Sequence, residues 1–186
     1  MICGPPGVGK GTVLSRLAES SWSGLVRALS VTTRPPGLGE QDGVDYHFIS
    51  EISFARLKEA NALFGGTTPQ FGFNYGVRLS DIELPRSRGE SVIMESNLNG
   101  VRLAKAAFEG VVSIFLRPPS VSELSRRLVM RGRDDDVSLA MRIDEGRRML
   151  SVVHDYSIDY FVLNSALEAC ISAINKIIVT EAAIMR

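Results

Sequence analysis

The sequence predicts an α/β fold in which a parallel sheet carries helices on both faces. Short apolar runs typical of buried strands alternate with helical patterns over most of the chain. A glycine-rich turn also stands between the first apolar run and the first helical pattern, which is the strand–turn–helix order of such folds. Between about residues 33 and 88 the alternation stops, and prolines, glycines and aromatic residues predict an inserted lobe.

Elements in the first half of the chain are predicted to be short. After the apolar start at residues 1–3, Val13, Leu14 and Leu17 recur at helical spacing. The elements that follow are a strand at 25–31, a proline- and glycine-rich loop at 32–40, a strand at 45–49, a helix capped by Ser50, short antiparallel strands within 67–79, and a weaker helix at 79–88 that contains Pro85.

Regular alternation of strands and helices resumes at Ser91. Here the pattern predicts a strand at 92–95, a helix at 100–108, a strand at 111–116, a helix opened by the capping box Ser120–Glu123, a long amphipathic helix at 137–152, a strand at 161–164 and a last helix at 167–184.

Net charge, apolar run length and cysteine spacing exclude several classes of protein. The chain has 186 residues and a formal net charge of zero, so charge gives no general attraction to nucleic acid or to an anionic membrane. No apolar run reaches membrane-spanning length. Cys3 and Cys170 stand far apart without metal-ligand spacing, so we expect reduced thiols and a cytoplasmic protein. The pattern leaves open whether the protein is a monomer or a homodimer, and whether the native chain begins upstream of Met1.

The glycine-rich turn predicts a polyphosphate site. Its glycines let backbone N–H groups point at anionic oxygens, next to the partial positive charge of a helix N terminus. The lysine reaches the outer phosphates, and Thr12 is the nearest hydroxyl for a magnesium ion because Gly11 directly follows the lysine. The phosphate loop consists of Gly4, Pro5, Pro6, Gly7, Val8, Gly9, Lys10, Gly11 and Thr12.

Three other segments carry candidate chemistry. Arg34 leaves a predicted strand end, where its guanidinium could clamp a second phosphate; a solvated surface arginine is the alternative. The aromatic and glycine residues at 71–76 could hold an acceptor nucleotide, but taken alone this segment favours a hairpin core. Glu95 ends a buried strand, which suggests a contact to magnesium-bound water or substrate, with an exposed strand end as the alternative.

A set of arginines surrounds a predicted loop between two helices, where Gly132 and the acidic run 134–136 separate two groups. Arginines on such a loop fit a lid that closes over a transferring phosphoryl group. Most of them are expected to be ordinary helix-surface charges, and Arg131 and Arg142 are the candidates for the lid. The set consists of Arg126, Arg127, Arg131, Arg133, Arg142, Arg147 and Arg148.

Several segments in a fixed order connect these features: GPPGVGKGT, SVTTRPPGLGE, GVDYHFIS, NYG, IFLRPPS, an L-x-x-R-L-x-x-R-G pattern, Arg142 and DYFVLN. Together they resemble the guanylate kinase family of P-loop nucleoside monophosphate kinases. The resemblance implies a P-loop kinase core with a five-stranded parallel sheet flanked by helices at 1–32 and 89–186, an acceptor-binding lobe at 33–88, and a helical lid at about 126–148. It also implies Mg²⁺ with ATP as donor, and GMP or dGMP as acceptor.

The resemblance implies a role for each matching residue. The phosphate loop would bind ATP, with Lys10 on the donor phosphates and Asn164 near the donor base. Arg34 would hold the acceptor phosphate and the transferring group, and Arg131 and Arg142 would act from the lid. Glu95 matches a family aspartate near the magnesium waters, and Thr12 would be the hydroxyl at that ion. The implied acceptor-binding residues are Ser30, Arg34, Tyr46, Tyr75 and Asn97.

The departures from the family concentrate on the acceptor. In chain order, the family has a phosphate-binding arginine, a guanine-recognising glutamate, a guanine-contacting Ser or Thr, a guanine-recognising aspartate and a late helical glutamate. The residues at these five positions here are, in the same order, Gly37, Gly66, Val77, Asn97 and Met149. Losing charged hydrogen bonds at roughly 1.5–3 kcal/mol each should weaken GMP binding unless Thr67, Thr68 or Gln70 compensates.

Three functions therefore stay open at the level of sequence. The first is ATP-dependent phosphorylation of GMP. The second is a kinase of the same fold that acts on another nucleotide or on a sugar phosphate, which requires no guanine recognition. The third is a binding module without activity, against which the presence of Lys10 and Arg34 argues.

Overall fold

The computed structural model describes residues 1–19, 24–64, 72–132 and 135–184. The chain divides into two compact units: unit 1 comprises Met1–Ser20 and Ser96–Arg186, and unit 2 comprises Ser21–Glu95. The helices are α1 Lys10–Glu19, α2 Glu51–Glu59, α3 Ser80–Ser87, α4 Leu98–Ala107, α5 Val121–Arg131, α6 Asp136–Val152 and α7 Leu167–Ile184. The strands are β1 Ile2–Cys3, β2 Leu25–Ala28, β3 Ser30–Thr32, β4 His47–Phe48, β5 Leu63–Phe64, β6 Tyr75–Arg78, β7 Ser91–Met94, β8 Ile114–Arg117 and β9 Tyr160–Leu163.

Unit 1 is built around a parallel three-stranded sheet in the order β1-β8-β9. Its strands are rich in buried apolar residues, as expected for parallel strands covered by helices. Helix α7 packs against α1 and β9, and α6 packs against α5. One apolar cluster joins the sheet to α4 and α6 and consists of Cys3, Leu98, Val101, Phe115, Met149 and Val153.

Unit 2 contains a parallel pair, β2 and β7, and a four-stranded sheet in the order β4-β3-β6-β5. In the four-stranded sheet, β3 runs parallel to β4 and antiparallel to β6, which is also antiparallel to β5. The register places Ser30 opposite Val77 and Thr32 opposite Tyr75. This pairing brings two segments that are distant in sequence to one place, and both carry candidate acceptor residues.

The α/β class is confirmed, but the single five-stranded parallel sheet is not. The parallel strands of the expected core lie in a three-stranded and a two-stranded sheet. Strand β1 has only two residues, which pair with Ile114 and Phe115 of β8. A second difference is that the strand predicted at 25–31 is divided into β2 and β3, which belong to different sheets.

Side-chain hydrogen bonds explain two shifted boundaries. Helix α4 begins at Leu98 instead of residue 100 because the Asn97 side chain caps it and accepts the Gly100 N–H at 2.7 Å. Strand β8 begins at Ile114 instead of residue 111. The Ser113 N–H donates to a carboxylate oxygen of Asp159 at 2.8 Å, so Ser113 takes a side-chain partner in place of a ladder partner.

Two predictions from composition can be compared with the structure. Cys3 and Cys170 are both buried and free, as expected for reduced thiols. Burial raises the pKa of the Cys3 thiol to about 11, so it stays protonated and unreactive at neutral pH. Among the described helices, none has the length and apolar character needed to cross a membrane.

Candidate active site

The phosphate loop of unit 1 adopts a conformation that requires glycine at defined positions. Gly4, Gly7 and Gly9 have φ values of 148°, 80° and 99°, a region that other residues rarely adopt. A Cβ atom on Gly4 would lie 2.7 Å from the Leu116 carbonyl oxygen. The loop is therefore packed closely on β8 while its backbone turns toward the start of α1.

Lys10 is the first residue of α1, and its side chain folds back over the loop. The Nζ atom donates to the carbonyl oxygens of Gly4 at 2.8 Å and Pro5 at 3.1 Å. The ammonium group therefore lies at the mouth of the loop, beside the N terminus of a ten-residue helix. Thr12 is exposed in the first turn of the same helix, so its hydroxyl is accessible to a hydrated cation. This part of the site combines a lysine ammonium group with an anion-attracting helix end.

Asn164 lies directly after β9 and holds the phosphate loop in place. Its side chain is 6% exposed, and its Nδ2 donates to the Val8 carbonyl oxygen at 2.8 Å. The close approach also explains Gly9, because a Cβ there would lie 2.8 Å from that Nδ2 atom. The sequence implied that Asn164 is near the donor base; that role stays a prediction, and the loop contact is an additional one.

Arg127 on α5 is a site residue that the sequence did not single out. It donates to the backbone oxygen of Asn164 at 3.0 Å and to that of Val8 at 3.4 Å. Its Nε donates to Glu123 at 2.8 Å, and hydrogen bonds from Arg126 and Arg127 lower the pKa of Glu123 to about 2. The i,i+4 spacing of Glu123 and Arg127 was the available signal. Arg127 thus links the phosphate loop to the helix that carries Arg131.

The two candidate lid arginines lie on α5 and α6, which pack against each other. Arg131 is the last residue of α5 and is followed by Gly132, which caps the helix with φ 60°. Arg142 lies in α6 and is half-buried. By contrast, Arg147 and Arg148 pair with Asp144 and Glu145 on the helix surface. Arg133 lies outside the described residues.

Arg34 is the centre of a dense polar cluster in unit 2. Its guanidinium pairs with Glu40 at 2.8 Å, and the two side chains are only 16% and 3% exposed. Its Nε donates to the Tyr75 hydroxyl at 3.2 Å. The guanidinium also lies over the rings of Tyr46 and Phe48, 5.4 and 5.5 Å from their centroids. Burial alone lowers the pKa of Arg34, but the Glu40 carboxylate and Tyr75 outweigh it and raise that pKa.

The turn around Arg34 is fixed by contacts with the residue before β6. The Thr32 hydroxyl donates to the Asn74 carbonyl oxygen at 3.0 Å, and the Asn74 N–H donates to the Thr33 hydroxyl at 3.1 Å. The Arg34 N–H in turn donates to the Thr32 hydroxyl at 3.2 Å. The end of β3 and the residue before β6 therefore hold each other, and the backbone at Arg34 is fixed by contacts within the protein.

Tyr46 and Glu95 are electrostatic neighbours. The charge of Glu95, followed by burial, raises the pKa of Tyr46, which keeps the phenol protonated and able to donate a hydrogen bond. Tyr46 and Tyr75 contact edge to face, with centroids 6.2 Å apart. Of the acceptor residues predicted from the sequence, the structure thus brings Arg34, Tyr46 and Tyr75 together, and it places Ser30 two residues before Thr32 on β3.

Comparison with known proteins identifies the family. The guanylate kinase family model matches residues 1–181. Guanylate kinase of Lactobacillus johnsonii is 34% identical over 97% of this chain and 87% of its own length. The enzyme of Thermus thermophilus is 37% identical over 97% of this chain and 80% of its own length.

The chain belongs to the guanylate kinase family. A crystal structure of guanylate kinase from Anaplasma phagocytophilum has a similar fold, with a TM-score of 0.77 at 29% identity, covering 97% of this chain and 84% of that one. The protein is therefore a phosphotransferase, and the α/β architecture described above is that of a guanylate kinase.

The departures from the family pattern can now be placed in the structure. Val77, for which the resemblance implied a Ser or Thr, is buried, 6% exposed, in the β3–β6 ladder. The Asn97 side-chain oxygen accepts the Gly100 N–H as the cap of α4, and unlike the family's aspartate it belongs to a neutral amide. Met149 lies in the apolar cluster of unit 1, so it contributes packing in place of charge. Gly37 donates its N–H to Glu40 at 2.8 Å.

The remaining departure, Gly66, lies outside the described residues, as do Thr67, Thr68 and Gln70. Their contribution to the acceptor pocket therefore stays a prediction from the sequence.

Proposed function

We propose that this protein transfers the terminal phosphoryl group of ATP to GMP or dGMP, forming ADP and GDP or dGDP. The main observation in support is the geometry of the phosphate loop, a closely packed turn whose carbonyl oxygens hold the Lys10 ammonium group beside the N terminus of α1. Membership of the guanylate kinase family supports GMP over other acceptors.

The proposed mechanism assigns each unit a ligand. Unit 1 binds the donor, whose phosphates lie along the loop with Lys10 compensating their charge. Unit 2 binds the acceptor, whose phosphate contacts Arg34 and the hydroxyls of Tyr46 and Tyr75. An acceptor phosphate oxygen attacks the γ-phosphorus, a new P–O bond forms, and the bond to the β–γ bridging oxygen breaks as ADP leaves. Arg131 and Arg142 compensate the charge of the transferring group.

A magnesium ion is also part of the proposal, on the chemistry of the two residues that the sequence predicted for it. Thr12 supplies an accessible hydroxyl and Glu95 a carboxylate, which are oxygen donors of the kind Mg²⁺ prefers alongside phosphates and water. When bound, the ion would compensate charge on the donor phosphates. Two free, buried cysteines support the cytoplasm as the compartment. The protein acts as a monomer or a homodimer.

The test is an ADP-release assay with Mg-ATP and a panel of nucleoside monophosphates and sugar phosphates. We expect turnover with GMP or dGMP far above that with every other acceptor. A higher rate with another nucleotide or with a sugar phosphate would identify that compound as the acceptor in place of GMP. Absence of turnover with the whole panel would refute the kinase activity.

The matched variants for this assay are Lys10→Met and Lys176→Met. Lys10→Met should reduce turnover by at least about a hundredfold, because a cation on the donor phosphates is lost. Lys176 is exposed on α7, so the same substitution there should leave turnover unchanged. Retained activity in Lys10→Met would contradict the assignment of the phosphate loop.

A further inference from the structure

Arg27 is a half-buried cation in unit 2 that the proposed mechanism does not use. It lies on β2, and its guanidinium donates to the Val44 carbonyl oxygen at 3.1 Å. Val44 belongs to the turn that carries Tyr46, because the Gly43 N–H donates to the Tyr46 carbonyl oxygen at 2.9 Å. The guanidinium therefore lies against the segment that positions one of the acceptor tyrosines.

The surroundings of Arg27 combine burial with negative charge. Its electrostatic neighbours are Glu95, Asp45 and Tyr46, and burial lowers its pKa. An arginine nevertheless stays protonated at neutral pH, so the positive charge is retained in a partly desolvated place. A guanidinium has five N–H donors in a planar fork, so it can bind a carbonyl, a carboxylate and a phosphate oxygen at the same time.

The charge balance around Arg34 explains why a second cation is needed. A phosphate monoester carries close to two negative charges at neutral pH. Arg34 is paired with the buried Glu40 carboxylate, so much of its charge is already compensated. Gly37 contributes only a backbone N–H in this turn, and that group donates to the same carboxylate. Arg34 and Gly37 together therefore leave a dianion under-compensated.

We propose that Arg27 is a phosphate-binding residue of the acceptor site and supplies the second positive charge there. The inference rests on the proposed function, since it assumes that unit 2 binds a nucleoside monophosphate. It explains how the site tolerates glycine at position 37: the cation comes from β2, and its guanidinium contacts the turn that carries Tyr46.

The first experiment measures binding of GMP and of guanosine to Arg27→Gln by calorimetry. We expect the affinity for GMP to fall by about tenfold to a hundredfold, as for loss of a charged hydrogen bond. The affinity for guanosine should stay unchanged because guanosine has no phosphate. Arg88→Gln is the matched control: Arg88 is an exposed arginine of the same unit, paired with Glu90. Unchanged GMP affinity, or an equal loss for both ligands, would overturn the proposal.

A second experiment separates phosphate binding from simple compensation of Glu95. If Arg27 served only as a counter-ion, Arg27→Gln combined with Glu95→Gln would restore GMP affinity. We expect that double variant to stay weak, and we expect Arg27→Gln combined with Gly37→Arg to recover most of the lost affinity. Restoration by Glu95→Gln, or no recovery with Gly37→Arg, would count against a direct phosphate contact.

Two further measurements keep the test decisive. If Arg27→Gln does not fold, Arg27→Lys keeps the charge but loses the planar fork, and it should bind GMP several-fold more weakly than the unaltered protein; equal affinity would overturn the proposal. GMP-dependent ADP release by the unaltered protein is measured in parallel. Its absence refutes the proposed function, whereas its presence with unaltered GMP affinity in Arg27→Gln refutes only this inference.

Discussion

At the scale of single residues, the phosphate loop depends on the absence of one side chain. Gly9 combines φ 99° with a position where a Cβ would lie 2.8 Å from the Asn164 Nδ2 atom. The neighbouring Gly11 lies within α1, and a Cβ there would meet no atom within 4 Å. A side chain is therefore excluded at Gly9 and tolerated at Gly11, although both glycines belong to the phosphate loop.

Gly9→Ala should therefore destabilise the fold, by about 2 kcal/mol or more, because a left-handed φ is costly for alanine and Asn164 must move. For a chain of this length the midpoint of thermal unfolding should fall by about 4–8 °C. Gly11→Ala is the control and should raise the free energy of unfolding by about 0.5–1 kcal/mol, as alanine does within a helix. Equal midpoints for the two variants would contradict this account of the loop.

Residue-level chemistry was partly predictable. The sequence indicated the phosphate loop and Arg34, because glycine spacing and a strand-end arginine are local features. It gave Arg127 no role of its own, although this residue is the first arginine of the L-x-x-R-L-x-x-R-G pattern, because its contacts depend on the packing of α5. Gly7 shows how closely the phosphate loop packs on α5, because a Cβ there would lie 2.7 Å from the Leu128 side chain of that helix.

At the scale of elements, two predicted helix caps are found in the structure, whereas the division of one predicted strand was not foreseen. Ser50 and Ser120 cap α2 and α5 as expected, with side-chain oxygens that accept the Ser53 and Glu123 N–H groups. Capping is decided within four residues. The division of the 25–31 segment into β2 and β3 depends instead on Asn74 and β6, 42 positions from Thr32. Such distant pairing leaves no local pattern.

The start of β9 is held by a network that should depend on pH. The Asp159 carboxylate accepts the Ser113 N–H and hydroxyl at 2.8 and 2.7 Å and pairs with Lys105 at 2.7 Å. Burial favours protonation of Asp159, but Lys105 and Ser113 outweigh it and lower its pKa. A carboxylate whose pKa is lower in the folded state stabilises the fold above its unfolded pKa, and this contribution is lost as pH falls.

Asp159→Asn should consequently lower the free energy of unfolding by about 1 kcal/mol at pH 7, a value reduced by solvent because the carboxylate is 37% exposed. Urea unfolding at pH 7, 5 and 3.5 should show that the difference in unfolding free energy between this variant and the unaltered protein becomes smaller as the pH decreases. Asp144→Asn is the control, because Asp144 pairs with Arg147 at 73% exposure and should have little effect. A gap that stays constant down to pH 3.5 would rule out this linkage.

At the scale of the whole molecule, the candidate residues fall into two compact units. Lys10, Asn164 and the lid arginines belong to unit 1, whereas Arg34 and the acceptor tyrosines belong to unit 2. Each set is held by contacts within its own unit: Lys10 by the loop carbonyls, and Arg34 by Glu40 and Tyr75. Binding of the donor and of the acceptor should therefore be separable by substitution.

Lys10→Met and Arg34→Met, measured against ATP and GMP one at a time, test this separation. Lys10→Met should weaken ATP binding by about tenfold to a hundredfold and leave GMP binding unchanged, because the lost cation contacts only donor phosphates. Arg34→Met should do the reverse. Calorimetry gives both affinities, with thermal unfolding as the check on folding. If either substitution weakened both ligands equally, the two ligands would share these cations, and the assignment of one ligand to each unit would have to be abandoned.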